Sequence, residues 1–324
     1  MHRPFPKARN WFIVGSALVV AFCQACSHPG HGRDLRGAEG AADRLILDTV
    51  PFFPQQAYQC GPAAMAMVLG WSGLPVTPDN LVDEVYTPGR LGSLQPNLIA
   101  AARRRGRLAY PFNGPQPLLA ELAAGHPVVV LQNLGTATYP AWHYAVVVGR
   151  DRSTDQILLH SGTRARHPMG WSRFLFTWER GHYWGLVVLR PGRIPSSADE
   201  RTYLEAVLGL EQARQWEAAG RAYKAALNRW PSSLQALIGL GNCRAVQGDL
   251  PAAEAVLRKA VSQAPENADA ANNLAHVLSR LGKLEEALYW SRRAVQGGGP
   301  NRSVYRETLR DIEDLRQSEG RERP

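Results

Sequence analysis

Several features common in proteins are scarce or missing from this sequence, and each absence narrows what it can be. There are only four cysteines, at positions 23, 26, 60 and 243. Two belong to the N-terminal apolar run or follow it, and the other two fall in different parts of the chain, so a structural disulfide framework is not expected. No Gly-x-x-x-x-Gly-Lys-Ser/Thr loop occurs, which removes the usual phosphate cradle and any reason to expect a nucleotide partner. Neither Cys-x-x-Cys nor His-Glu-x-x-His spacing occurs, so His160, His167 and His182 carry no metal signature, and neither a metal nor another cofactor is expected. Acidic residues are the minority, 28 against 37 Lys and Arg, for a net charge of +9. Part of the excess sits in Arg3, Lys7 and Arg9 and the remainder is scattered arginine, so no nucleic-acid partner is expected. The one dense basic patch, RRRGR at 103–107, reads as the solvated end of a helix, where cations are favoured.

Long apolar runs are also missing. The one candidate, WFIVGSALVVAFC at 11–23, is too short to span a bilayer comfortably. Preceded by the basic stretch MHRPFPKARN, it matches the apolar region of a secretory signal. The following CQACS resembles the lipoprotein cleavage box of bacteria, with Ala25 before the bond and Cys26 as the lipidated first residue. Cys23 and Gln24 stand where that pattern prefers Leu and a small residue. Ordinary cleavage after Ala25 and an uncleaved anchor are the alternatives. Residues 1–26 are thus expected to be an export signal, placing the protein in the cell envelope as a membrane-anchored lipoprotein on the periplasmic side. Residues 27–44, Gly-rich and polar, read as a flexible linker.

What is present is enough for two folded domains: 324 residues, 45% hydrophobic and 20% charged, in the ordinary globular range. The C-terminal third repeats. WEAAGRAYKAALNRWP (216–231), LPAAEAVLRKAVSQAP (250–265) and LEEALYWSRRAVQGGGP (284–300) superpose at a period of 34. Ala219, Ala253 and Ala287 share that spacing, as do Ala226, Ala260 and Ala294, and Gly248 and Gly282. Small residues where paired helices cross, at this period, resemble the tetratricopeptide repeat. Residues 199–318 are therefore expected to form an all-α solenoid of three repeats plus a polar capping helix near 302–317, docking a protein partner on its concave face. Cys243 falls inside a helix of the second unit and reads as a small buried hydrophobe.

Residues 45–192 have mixed periodicity. ILDTVPFF reads as a strand, AAMAMVLGW as a helix begun by Cys60 with Pro62 in its first turn, and DNLVDEVY and SLQPNLIAAARRRG as further helices. PLLAELAAGHPVVVLQNL gives helix, break and buried strand; WHYAVVVGRD, DQILLHSG and YWGLVVLRPG give strands. The tryptophan-rich 171–184 reads as packing and cleft wall. A helical half followed by an antiparallel half is an α+β domain. A thiol at a helix N-terminus meets unpaired N–H groups and the positive end of the helix dipole, which favour thiolate. His143 at the start of a strand supplies the imidazole that such a thiol needs. Gln55 or Gln56, just upstream, is placed to offer a side-chain amide to an oxyanion beside the Cys60 N–H.

VPFFPQQAYQCGPAAMAMVL, then GHPVVVLQN, then HYAVVVGRD, resembles the double-glycine or bacteriocin-processing peptidases, cysteine peptidase family 39, and their stand-alone relatives. The resemblance implies a papain-like fold, Cys60 as nucleophile, His143 as general base and acid, and Gln55, which follows VPFFP, as the oxyanion donor. In that family an Asp or Asn after the histidine strand orients the imidazole. Here Ser161 stands at that place, and Asp151 and Asp155 lie in a polar turn that reads as a hairpin loop. Three functions are open: an exported peptidase acting on a protein or peptide substrate, an amidase or transglutaminase-type acyl transferase using the same pair, and a non-catalytic binding scaffold.

Overall fold

The computed structural model describes residues 43–55 and 59–322, with side chains up to 319. The chain divides into two compact units after Ala218. The export signal, Cys26, Gln56 and residues 27–42 of the expected linker lie outside the described residues, while the linker's last residue, Arg44, already belongs to a strand; among the described residues no helix is long and apolar enough to cross a membrane.

The first unit is built on one antiparallel sheet with helices on its faces. Its strands are β1 (Arg44–Ile46), β4 (Leu108–Asn113), β5 (Val128–Asn133), β6 (Trp142–Asp151), β7 (Gln156–Ser161), β8 (Arg164–Gly170) and β9 (Trp184–Leu189), in the order β4-β9-β5-β6-β7-β8, with β1 pairing onto the far end of β6. A two-stranded ribbon, β2 (Tyr86–Thr87) and β3 (Gly92–Ser93), stands apart. The helices are α1 (Cys60–Trp71), α2 (Val82–Val85), α3 (Gln95–Arg104), α4 (Pro115–Ala123), α5 (Trp171–Glu179) and α6 (Glu200–Gln212).

Helix α1 is buried continuously from Gly61 to Leu69, because its residues are small or apolar on every side. It packs on β6, β5 and β9, and its Ala, Met and Val side chains share one core with Val129, Tyr144, Val146, Val148, Leu186 and Val188. The opposite face is covered by α4 and α5. There Trp171, Phe174 and Trp178 stack in series, and Trp178 Nε1 donates to Trp184 O, so the aromatic stretch is packing.

Four expectations are corrected. The strand expected across ILDTVPFF is confined to Arg44–Ile46. DNLVDEVY forms a 3-10 turn, Asp79–Leu81, before the single turn of α2, instead of one helix. The strands β4 and β8 and the helix α5 were not anticipated. Both strands contain proline, Pro111 and Pro168, and both are sheet edges, where a missing N–H is tolerated. The RRRGR patch does end a helix, with Arg103 and Arg104 in the last turn of α3, but its arginines are engaged and not simply solvated. Arg104 and Arg105 both pair with Glu84 at 2.7 Å and hold its carboxyl down at about 2. Arg107 donates to Ser72 Oγ and O, and Arg103 packs against Gly209 of α6.

The second unit is a run of paired helices: α7 (Trp216–Arg229), which spans the boundary, α8 (Leu234–Val246), α9 (Leu250–Gln263), α10 (Ala268–Arg280), α11 (Leu284–Gly297) and α12 (Arg302–Glu322). The expected alanines, Ala219, Ala226, Ala253, Ala260, Ala287 and Ala294, are all fully buried. The period extends to the caps: the side chains of Asp199, Ser233 and Asn267 accept from Thr202 N, Ala236 N and Ala270 N. Gly248 and Gly282 end helices at φ of 85° and 73°, and Arg214 takes the equivalent place at φ 57°. Cys243 is fully buried.

Candidate active site

Cys60 is the first residue of α1, and Pro62 sits in the first turn, where a missing N–H costs nothing. Gly61 has to be small. A Cβ there falls 2.2 Å from Ser93 Oγ on β3 and 3.2 Å from Val85. The tip of α1 is therefore wedged against the β2–β3 ribbon, which Tyr144 also reaches through its hydroxyl, donating to Ser93 O at 3.3 Å.

The Tyr144 peptide organises the site. Its N–H acts on the Cys60 thiol, lowering it. Its carbonyl accepts from Gln55 Nε2 at 3.1 Å. Gln55 Oε1 in turn accepts from Gly162 N at 3.0 Å, and Gln55 N donates to Gly162 O at 2.9 Å. Gln55 thus fills the ladder position between β6 and β7 where the two strands part. One Nε2 hydrogen is committed to Tyr144 O; the carboxamide carries a second.

His143 precedes Tyr144 and pairs across the sheet with Gln132, so it shares the face of Gln132 and Ala145. Its Nε2 lies 2.9 Å from Ser161 Oγ. The register Val146↔His160, carried on by one pair, sets Ala145 opposite Ser161, which makes Ser161 and His143 diagonal neighbours on one face. With Nε2 on Ser161, Nδ1 is the other ring nitrogen. Among the described residues no hydrogen bond joins the thiol to the imidazole, whose Nε2 is engaged by Ser161. Asp151 and Asp155 are at the other end of the hairpin. Asp151 accepts from Ser153 Oγ and Thr154 N and pairs with Arg44, while Asp155 occupies the turn at φ 48°.

Burial raises the Cys60 thiol, and this outweighs the N–H groups of Tyr144, Gly61 and Cys60 itself, which act the other way. Burial also lowers His143. The expectation of a resting thiolate is therefore corrected: the helix-end donors are present, but desolvation exceeds them, and the pair rests as thiol and neutral imidazole. The other histidines are dispersed. His160 is buried between Val50 O and Arg166 N, His167 lies on the edge strand β8, and His182 sits in the turn after α5. Among the described residues no group of three or more His, Cys, Asp or Glu is arranged to hold a metal.

Residues 47–182 match the model of the Peptidase_C39 like family. This stretch is similar to that family. Residues 204–267 and 247–302 match the tetratricopeptide repeat. Among solved structures, the chain is similar to a Bacillus anthracis protein described as a C39-like peptidase, with 18% identity over 45% of this chain and 97% of that one and a TM-score of 0.38. The repeat part is similar to the Yersinia enterocolitica type III secretion translocator chaperone SycD (17% identity, 36% of this chain, 93% of that one, TM-score 0.34). It is also similar to the first tetratricopeptide domain of human RPAP3 (18% identity, 38% of this chain, 96% of that one, TM-score 0.36). The comparison with curated proteins finds no match.

Two residues of the C39-like domain escaped the sequence reading. Ser93 limits the residue after the cysteine to glycine. Asn133, nearly fully buried at the end of β5, accepts from Gly135 N and Ala141 N and donates to Thr136 O. It thereby shapes the loop that carries exposed Tyr139 and Trp142 beside His143. Neither residue has a local sequence signal, since each acts on a segment distant in the fold or through a loop.

Proposed function

We propose that the C39-like domain is a cysteine peptidase in which Cys60 is the nucleophile, His143 the general base and acid, and Gln55 an oxyanion donor. The observation that carries this is the placement of Cys60 at the tip of α1, which packs on β6, the strand that carries His143, with the Gln55 carboxamide bound to the carbonyl of the next residue, Tyr144. The Cys60 S–H proton passes to His143 Nδ1 as the sulfur attacks a peptide carbonyl carbon. The oxyanion formed is met by the Cys60 N–H and the second Gln55 N–H. His143 returns the proton to the departing amine, leaving a thioester, and then takes a proton from the water that hydrolyses it. Such hydrogen bonds tighten in the substrate complex, which suits a thiol and an imidazole that are not hydrogen-bonded at rest.

The repeats supply the docking surface for a protein substrate or partner. The N-terminal sequence supports export and lipid anchoring at Cys26, which would put the peptidase at the envelope surface. The experiment is cleavage of a peptide library followed by mass spectrometry, comparing the wild type with Cys60→Ala and His143→Ala. Cleavage lost in both variants supports the reading. Cleavage unaffected by Cys60→Ala, or absent from the wild type, overturns it. In the second case the neutral resting pair and the absence of a carboxylate at His143 favour a binding scaffold. Adding an amine acceptor to the same assay separates peptidase from acyl transferase, since only the latter yields the amine adduct.

A further inference from the structure

The dipeptide Ser161–Gly162 touches both arms of the site. Ser161 Oγ meets His143 Nε2 at 2.9 Å, and Gly162 holds Gln55 by two hydrogen bonds, of 2.9 and 3.0 Å. We propose that Ser161 is the positioning residue for His143, a neutral hydroxyl standing where an acid would otherwise orient the imidazole, and that Gly162 fixes the oxyanion glutamine from the same turn. This rests on the peptidase reading above.

The geometry excludes the carboxylates near in sequence. Asp151 is eight residues along β6 from His143, about 26 Å at the rise of a strand. The groups placed beside His143 are Ser161 on β7 and Gln132 on β5. None is charged, and burial is the sole cause of the lowered His143. With Nε2–H donating to the serine oxygen, the lone pair is on Nδ1, the tautomer a base toward the thiol requires. A hydroxyl fixes that tautomer yet gives little stabilisation to an imidazolium, so the pair functions by proton transfer during attack and not from a preformed ion pair. Gly162 lies at φ 58°, in the left-handed region, so the turn that presents Ser161 depends on that glycine.

The test uses the full chain and two readouts that need no substrate: the pH dependence of Cys60 alkylation by iodoacetamide, and the titration of the His143 ring by NMR. Ser161→Ala is expected to slow the His143-dependent part of alkylation about tenfold, the value of one lost hydrogen bond. Ser161→Asn is expected to restore it. Ser161→Asp is expected to raise the His143 titration by about one to three pH units and to move alkylation to lower pH. Thermal unfolding establishes that each variant is folded, and Ser161→Thr replaces any that is not. If folded Ser161→Ala and Ser161→Asp leave both readouts as in the wild type while His143→Ala slows alkylation, Ser161 is not the positioning residue and the peptidase reading stands. If His143→Ala leaves alkylation unchanged, the peptidase reading falls, and the ring titration in Ser161→Asp still decides whether Ser161 holds the imidazole.

Discussion

Burial sets the protonation of the two reactive side chains, raising the Cys60 thiol and lowering His143. The base is already neutral at pH values where an ordinary histidine is half charged. Activity therefore falls only as pH drops through the lowered His143 value, and the acid limb of kcat/KM is expected below pH 6.5, the unperturbed value. A pH–rate profile with that limb at or above 6.5 contradicts this assignment. Gly61 gives a second prediction at this scale. In Gly61→Ala the new methyl meets Ser93 Oγ at 2.2 Å and Ser93 Cβ at 2.5 Å, so either the β2–β3 ribbon or the tip of α1 has to shift. Destabilisation of about 1–3 kcal/mol is expected, together with slowed Cys60 alkylation. Urea unfolding and an alkylation time course measure the two effects.

Among the elements, the repeat helices show how one backbone conformation is served by different residues. Gly248 and Gly282 adopt the left-handed turn at no steric cost, whereas Arg214, 34 residues before Gly248, is forced into it. Arg214→Gly is expected to stabilise the protein by up to about 1 kcal/mol, the strain relieved exceeding the backbone entropy lost. A melting temperature at or below that of the wild type counts against this. The sheet teaches a related lesson about legibility. β6, with its apolar run AVVVG, was readable residue by residue because period and composition agree. β4 and β8 were not, because Pro111 and Pro168 argue against a strand until their place at the sheet edge is known.

At the scale of the molecule, a buried lock closes the first unit. Glu121 of α4 is fully buried, with His126 Nδ1 at 2.6 Å and both Ser197 N and Ser197 Oγ donating to its other oxygen at 2.6 Å. The helix, the Gly-His-Pro break and the segment before α6 are joined through one carboxylate. Glu121→Ala strands three polar partners in the interior, and a loss of about 3 kcal/mol is expected in urea unfolding. The pH dependence of stability follows from the lowered groups. The folded protein takes up protons later than the unfolded chain at His143, His160 and His276, the last lowered to about 4 by burial and by Arg280. Glu121 is also lowered, because the hydrogen bonds from His126 and Ser197 exceed its cost of burial. Between pH 6.5 and about 4 the unfolded state therefore binds more protons, and stability is lost as pH falls through that window. A melting temperature that is flat or rises across it contradicts these assignments.

The repeats, the α+β character of the middle region and the candidates Cys60 and His143 were legible in the sequence, because each rests on local pattern: a 34-residue spacing, a period along a strand, a proline in a first turn; Gln55 was set apart from Gln56 only by the family resemblance. Tertiary structure alone decided how those residues meet. Gln55 is clamped between Tyr144 and Gly162, and Ser161 faces the ring because β6 and β7 pair in one particular register. It also decided the charge state. A helix N-terminus argues for thiolate, but the depth at which α1 is buried argues more strongly for the thiol, and burial is a property of the whole fold and not of any stretch of sequence.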